Sequence, residues 1–254
     1  MFRRLAFWVG VVVSLAVGGL WASRGFLPQD LLARTNDSVG NYLQTLGTIY
    51  AVLLAFVVYA VWTQFNETRT LVEREANDVV DVFRTTQGLP EPIRSTMRDH
   101  LESYVDDVLK NEFPAMSRCD LGSLEAGGKR LDAAWSELRA FEPANDRDTA
   151  LFTETLGRFN HLFDVRTLRL TSACQRVPLA LRLLLHTGAL MVIASLYLFA
   201  VESFAIHILI TVATAGAISH ILYIVDDLDN CFAGEWQISP HPFERARGLL
   251  RNSR

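Results

Sequence analysis

The groups that could do chemistry in this chain of 254 residues are dispersed rather than assembled. His100, His161, His186, His207, His220 and His241 form no pair at metal-ligand spacing. No nucleophile–base signature is present, and no glycine-rich loop could cradle a phosphate. An enzyme is therefore not expected, and no cofactor is called for. Cys119, Cys174 and Cys231 are odd in number and lack CxxC spacing, so they read as reduced thiols in a cytoplasmic setting. The strongest acidic cluster is Asp226, Asp227 and Asp229, which lacks the spacing of a helix–loop–helix calcium site. Two readings stand: a cation site, or a cluster that anchors the tail to neighbouring arginines. Negative groups at a helix C-terminus oppose its dipole, so something positive is expected nearby.

Other polar groups lie inside apolar stretches, where an ionisable side chain is costly and points to function by default. Arg182 and His186 are one turn apart near the start of such a stretch. Either Arg182 snorkels to an interface while His186 packs inside, or the two belong to an ion pathway. His207, Thr211 and Thr214 share a helix face and read as interhelical glue. Gln44, Thr48, Val52, Phe56 and Tyr59 form a stripe at spacings of four, four, four and three. Around an axis shared by several copies it would give a polar mouth and then a hydrophobic constriction of the kind that gates by dewetting. The plainer reading is packing against neighbouring helices. Below it, Glu73, Glu75, Asp78 and Asp81 form either a solvated face or the edge of a vestibule. Glu112 could cap a helix or pair with an arginine.

The elements that must carry these residues follow from hydropathy. Half of the chain is hydrophobic and a fifth is charged, with the apolar content concentrated towards the two ends. Residues 5–23 form an uncharged stretch long enough to cross a bilayer; a signal peptide competes, but its apolar core would be only about 7–15 residues. A polar connection, residues 24–41, leads to a second span at about 42–62, flanked by Tyr42, Tyr59 and Trp62 as interfacial aromatics. With no proline inside it, that helix should run on into water as far as Gly88-Leu89-Pro90. A third span starts at Pro178, and Glu202-Ser203 turns the chain into a fourth at 204–225. The expected organisation is 1–62 (two spans), 63–177 (a soluble helical domain), 178–225 (two spans) and 226–254 (a tail).

Orientation follows from the arginines. Arg3, Arg4, Arg69, Arg74, Arg166, Arg169, Arg176, Arg245 and Arg247 share one side of a four-span arrangement, against Arg24 and Arg34 on the other. The positive-inside rule puts both termini and the central domain in the cytoplasm. That domain reads as all helix. One helix carries Ile93, Met97, Leu101, Tyr104, Val105 and Val108 and ends between Asn111 and Pro114. A second carries Leu124, Leu131, Trp135, Leu138 and Phe141, weakened by Gly127 and Gly128. After a turn capped by Asp146, a last helix presents Leu151, Leu156, Phe159, Leu162, Phe163, Leu168 and Leu170. It is expected to run towards span three. A net charge of −4 gives no case for nucleic-acid binding.

Two spans, a helical block, two more spans and an acidic run after the fourth resemble the bestrophin channel family. Trp62-Thr63-Gln64-Phe65 is similar to the W-x-Q-aromatic close of the second bestrophin helix. Asp226–Gly234 is similar to the acidic-then-Phe-Gly region after the fourth. The match is closer to bacterial bestrophin-like membrane proteins, through GTIYAVLLAFVVYAVW, VEREAN, Glu112-Phe113-Pro114 and DLDNCFAGEWQISPHPF. The resemblance implies an all-α membrane protein assembled as a ring, five being the implied number, with the second helix lining a pore. Matching Gln64 to the glutamine of that close puts the constriction near Thr48, Val52 and Phe56. The acidic run is shorter than the calcium clasp of animal bestrophins, which puts calcium gating in doubt. The expectation is an oligomeric ion channel of a bacterial inner membrane. Its pore would be formed by Gln44, Thr48, Val52, Phe56 and Tyr59 and its vestibule by Glu73 and Glu75, with lipid, further copies and inorganic ions as partners. The alternative is a non-conducting membrane-anchored scaffold or sensor whose helical bundle binds a partner.

Overall fold

The computed structural model describes residues 2–120, 122 and 125–252; Leu124, expected in the second soluble helix, lies outside them. Among the described residues the regular elements are all helical. They are α1 (Phe2–Phe26), α2 (Gln29–Thr86), α3 (Ile93–Asp107), a π-helical turn (Val108–Glu112), α4 (Phe113–Arg118), α5 (Glu125–Ala140), α6 (Asp146–Cys174), α7 (Leu179–Leu196), α8 (Phe204–Asp229) and α9 (His241–Arg251). The chain forms two compact units, residues 1–62 with 176–229 and residues 63–175 with 230–254. Four stretches are long and apolar enough to cross a membrane, in α1, α2, α7 and α8.

In the apolar unit α1 lies along α8, and α7 packs beside α8. Ala16, Ile193 and Ala215 form a small-residue core that lets the helices approach closely. Glycine matters where an aromatic ring is seated. A Cβ at Gly188 would come within 2.6 Å of the Tyr50 ring, and one at Gly19 within 2.8 Å of the Tyr197 hydroxyl. The polar segment after α1 does not stay a loop. Pro28 accepts the first helical bond from Leu32, Asp30 in the first turn complements the dipole, and α2 starts at Gln29. Asn36 is thereby held on a helix face, where its amide exchanges hydrogen bonds of 3.0 Å with both backbone groups of Ala200. Arg24 donates to the Val201 carbonyl. These bonds tie down the connection between α7 and α8, which opens earlier than the hydropathy suggests because α7 ends at Leu196.

The polar unit departs from its expected form at Pro114. The helix was expected to end there, yet the backbone widens and continues. Proline has no N–H for the Lys110 carbonyl, and its ring crowds that position. The chain adopts a π turn in which the Phe113 N–H reaches back to Val108. Glu112 is the last residue of that turn. Asn145, not Asp146, caps α6: its side chain accepts from the Asp148 N–H at 2.9 Å. The α6 helix stops at Cys174 and is separated from α7 by residues 175–178.

The cysteines correct the expectation of free thiols. Cys119 and Cys174 are joined by a disulfide across a sequence separation of 55, while Cys231 is buried and outside it. In chain-entropy terms a loop of that size is worth about 4 kcal/mol. Alkylation after denaturation without reductant should therefore modify Cys231 alone, and reductant should expose Cys119 and Cys174 as well. Mass spectrometry of the labelled chain checks this, and full labelling before reduction would contradict the bond.

Candidate functional site

Two arrangements of side chains stand out, one in each unit. In the apolar unit α2 has two opposite faces. Tyr50, Leu54, Val57 and Val61 recur at helical spacing and are all less than 10 % exposed. The other face is unpartnered. Gln44 and Thr48 are exposed, and Val52, Phe56 and Tyr59 are 53 %, 70 % and 70 % exposed. Thr45 and Thr48 satisfy their hydroxyls on the carbonyls of Asn41 and Gln44, at 3.0 and 2.8 Å. The Gln44 side chain is exposed, so its amide is open to water or another copy.

At the far end of α8, the acidic run is part of the helix, and its carboxylates have different partners. Asp229, 3 % exposed, accepts from the Val177 N–H at 2.6 Å and from the Arg182 guanidinium. Asp226 stands 3.9 Å from Arg182 and 3.6 Å from His186, whose other ring nitrogen is 2.8 Å from the Arg182 carbonyl. Asp229 thus fixes the start of α7, and Arg182 supplies the positive charge that the helix end requires. Among the described residues no cluster could hold a metal ion. His207 is buried, 2.9 Å from the Leu196 carbonyl, and Thr211 donates to the His207 carbonyl, so both serve packing.

In the polar unit a buried ionic network organises six elements. Arg169 on α6 is 0 % exposed. It holds Glu75 of α2 through Nε at 2.5 Å and Nη2 at 3.0 Å, Glu112 of the π turn at 2.5 Å, and the Met116 sulfur of α4 at 3.0 Å. Its guanidinium carbon lies 5.7 Å from the centre of the Phe243 ring on α9. Arg166 donates to the remaining Glu112 oxygen at 2.7 Å, and the Tyr104 hydroxyl donates to Glu75. Two guanidinium groups and two carboxylates balance. Burial alone would lower the Arg169 pKa, but Glu75 and Glu112 hold it well above its ordinary value. Burial, reinforced by the same carboxylates, pushes the Tyr104 phenol far up, so it stays a donor.

This network relocates one expected site residue. Glu73 is exposed and pairs with Arg69 at 3.2 Å, in keeping with a solvated face. Glu75, expected to edge a vestibule beside it, has no exposed surface and is committed to Arg169. Sequence reasoning missed Arg169 because a leucine precedes it: Leu168, expected in the core, is 54 % exposed, while the charged neighbour is buried. A legible signal existed in Gly127-Gly128. A Cβ at position 127 would fall 2.1 Å from Glu112 Oε1, and one at 128 would fall 3.6 Å from Arg166. The glycines open α5 to the ion pairs.

A family model for the bestrophin-like domain matches residues 10–243. The chain belongs to the bestrophin-like family. Its fold is that of bacterial bestrophin structures. One variant of the homolog from Klebsiella pneumoniae superposes with a TM-score of 0.74 at 13 % identity, over 98 % of this chain and 100 % of that one. Another gives 0.72 at 14 % identity, over 98 % of each. A third structure of that homolog, phased on zinc, gives 0.71 at 14 % identity over 97 % of each. No curated protein matches the chain.

Within this bestrophin-like fold the ionic network should behave as a unit. Arg169→Ala leaves two carboxylates buried without their counterion and should cost about 3–5 kcal/mol. Gly127→Ala pushes a methyl group into Glu112 and should cost about 1–3 kcal/mol. Thermal unfolding of the purified variants reads both losses. A stability unchanged by Arg169→Ala would deny the network its structural role.

Proposed function

We propose that the chain is a subunit of an oligomeric, bestrophin-like ion channel in a bacterial inner membrane, with α2 lining the pore. The observation that carries this is the unpartnered face of α2. An apolar face on a membrane helix could simply meet lipid, but this face begins with two exposed polar residues a turn apart, Gln44 and Thr48. Polar side chains are costly against hydrocarbon, whereas a water-filled axis between copies solvates them. Val52 and Phe56 then follow one turn apart as a hydrophobic constriction that passes ions only when wetted.

Five copies around the axis are the number the family resemblance implies. The charged half of α2 would form the wall of a vestibule through Glu73, with Glu67, Arg69 and Arg74 exposed on the same half of the helix. Glu75 is excluded from that wall by its burial. The exposed groups alternate in sign, so the wall supports no strong selection by charge. Inorganic ions, lipid and further copies are the partners, and no catalysis is involved.

The arginine bias places both termini and the polar unit in the cytoplasm. Burial of Arg166 and Arg169 in the folded unit leaves that argument intact, since the bias acts on the chain as it inserts. A reducing compartment would keep Cys119 and Cys174 open, and their bond would close on exposure to oxidant.

Purified in detergent, the protein should migrate as a ring, and in planar bilayers it should conduct. Val52→Ala and Phe56→Ala, which remove the constriction without touching the packed face of α2, should raise the current several-fold. A monomer or two-fold dimer removes the axial pore. A ring that stays silent, with both variants equally silent, leaves a membrane-anchored scaffold as the function.

A further inference from the structure

The apolar unit contains a cavity of about 580 Å³ that neither the α2 face nor the Asp229 clamp uses. Its walls come from α1, α7 and α8, and its volume lies within the range of sites that enclose small molecules. The lining changes character along its length. On α7 it runs from His186 to Ile193, and on antiparallel α8 from Asp226 and Asp227 back to Ile218. Seven or eight residues separate the ionic end from the apolar end on each helix, about 10–12 Å at helical rise. Trp8, 57 % exposed on α1, also stands on the wall. A tryptophan near a helix end belongs at headgroup depth, which puts the ionic end at the membrane surface and the apolar end among acyl chains.

We propose that this cavity binds an amphiphile with an ammonium head and a hydrocarbon tail, the head on Asp226 and the tail between α1, α7 and α8. Charge selects the head. Two carboxylates and one imidazole line the ionic end, and the nearest guanidinium, Arg182, gives its hydrogen bond to Asp229. Arg182 and His186 approach Asp226 as ion pairs and not at hydrogen-bond distance. Their nearest cationic atoms stand at 3.6 and 3.9 Å, beyond donor–acceptor contact, so the Asp226 oxygens are open to a donor. A phosphate beside the ammonium would be brought against the same carboxylates, so the head is phosphate-free. The tail replaces what would otherwise be an apolar void or loosely held lipid. The site depends on membrane insertion and not on conduction, so a non-conducting ring leaves it standing.

Trp8 supplies the readout. The full-length protein in lipid discs is titrated with dodecylammonium brominated on its tail, and the quenching that disappears in Trp8→Phe is taken as occupancy. Saturable quenching is expected, and brominated dodecyl sulfate should need a concentration higher by about tenfold or more. Asp226→Asn should weaken the ammonium probe by about tenfold, and Ile193→Trp, which fills the apolar end, should abolish saturation. Thermal unfolding of each variant separates lost binding from lost fold. Equal quenching by the sulfate and the ammonium overturns the assignment, as does wild-type binding by both Asp226→Asn and Ile193→Trp. Absence of any Trp8-dependent quenching means that lipid or a neighbouring copy already fills the cavity, and overturns it too. An aminophospholipid retained in native mass spectrometry and lost in Asp226→Asn overturns the phosphate-free head.

Discussion

A guanidinium with no access to water is the constraint around which the polar unit is built. Removing an ion of that size from water costs several kcal/mol even after relaxation, and the loss is recovered only when its donors are matched by acceptors of opposite charge. Arg169 meets that condition by drawing on α2, the π turn and α4, with the Phe243 ring of α9 across from its guanidinium carbon. Tyr104 occupies a further lone pair of Glu75, and Arg166 the second oxygen of Glu112. Each element in the unit is thus held in a register that one charge requires. A purely apolar core of the same volume would be no less stable, but it would tolerate sliding of one helix along another. For α2, whose two halves serve different surroundings, a fixed register is the property that matters. Glu75 pins the rotation of its charged half within the polar unit.

Local irregularities of the unit follow from that same requirement. The π turn inserts one extra residue's worth of backbone before Pro114, which swings Glu112 towards α6. The glycines of α5 remove the side chains that would meet it. A turn forced by proline and a helix thinned by glycine, each unfavourable on its own, are compatible because both make room for one carboxylate. Intrinsic propensity loses here to a tertiary ion pair, as it does wherever a few tenths of a kcal/mol per residue compete with an unpaired buried charge.

This sets what could be read from the amino-acid sequence. Spans, their number, and the continuation of α2 past Trp62 were legible because length and hydropathy in a bilayer leave few alternatives. Glu112 pairing with an arginine was anticipated as one of two readings. Glu75 was not separable from Glu73, since two carboxylates two residues apart look alike until a partner ninety-four positions later selects one. Leu168 and Arg169 were inverted for a related reason: a periodicity argument assigns the core to the apolar residue of an adjacent pair, and only a charge partner on another element reverses it. The helical start of α2 at Gln29 was missed because its polar residues resembled a loop, while their amides serve the chain after α7. Cysteine pairing across 55 residues carries no local signature at all.

The distribution of polarity on the membrane helices carries the remaining functional weight. Several polar side chains of the apolar unit are satisfied inside the chain: Asn36 on Ala200, Thr48 on Gln44, His207 through Nε2 on Leu196, Asp229 on Arg182. The Gln44 amide and the Asp226 carboxylate keep hydrogen-bonding capacity in places that face outward. They sit on different helices and differ in chemistry, one neutral on the exposed apolar face of α2 and the other anionic beside an apolar cavity. Each calls for something beyond the single chain: for Gln44 water or another copy, and for Asp226 a cation with a greasy body.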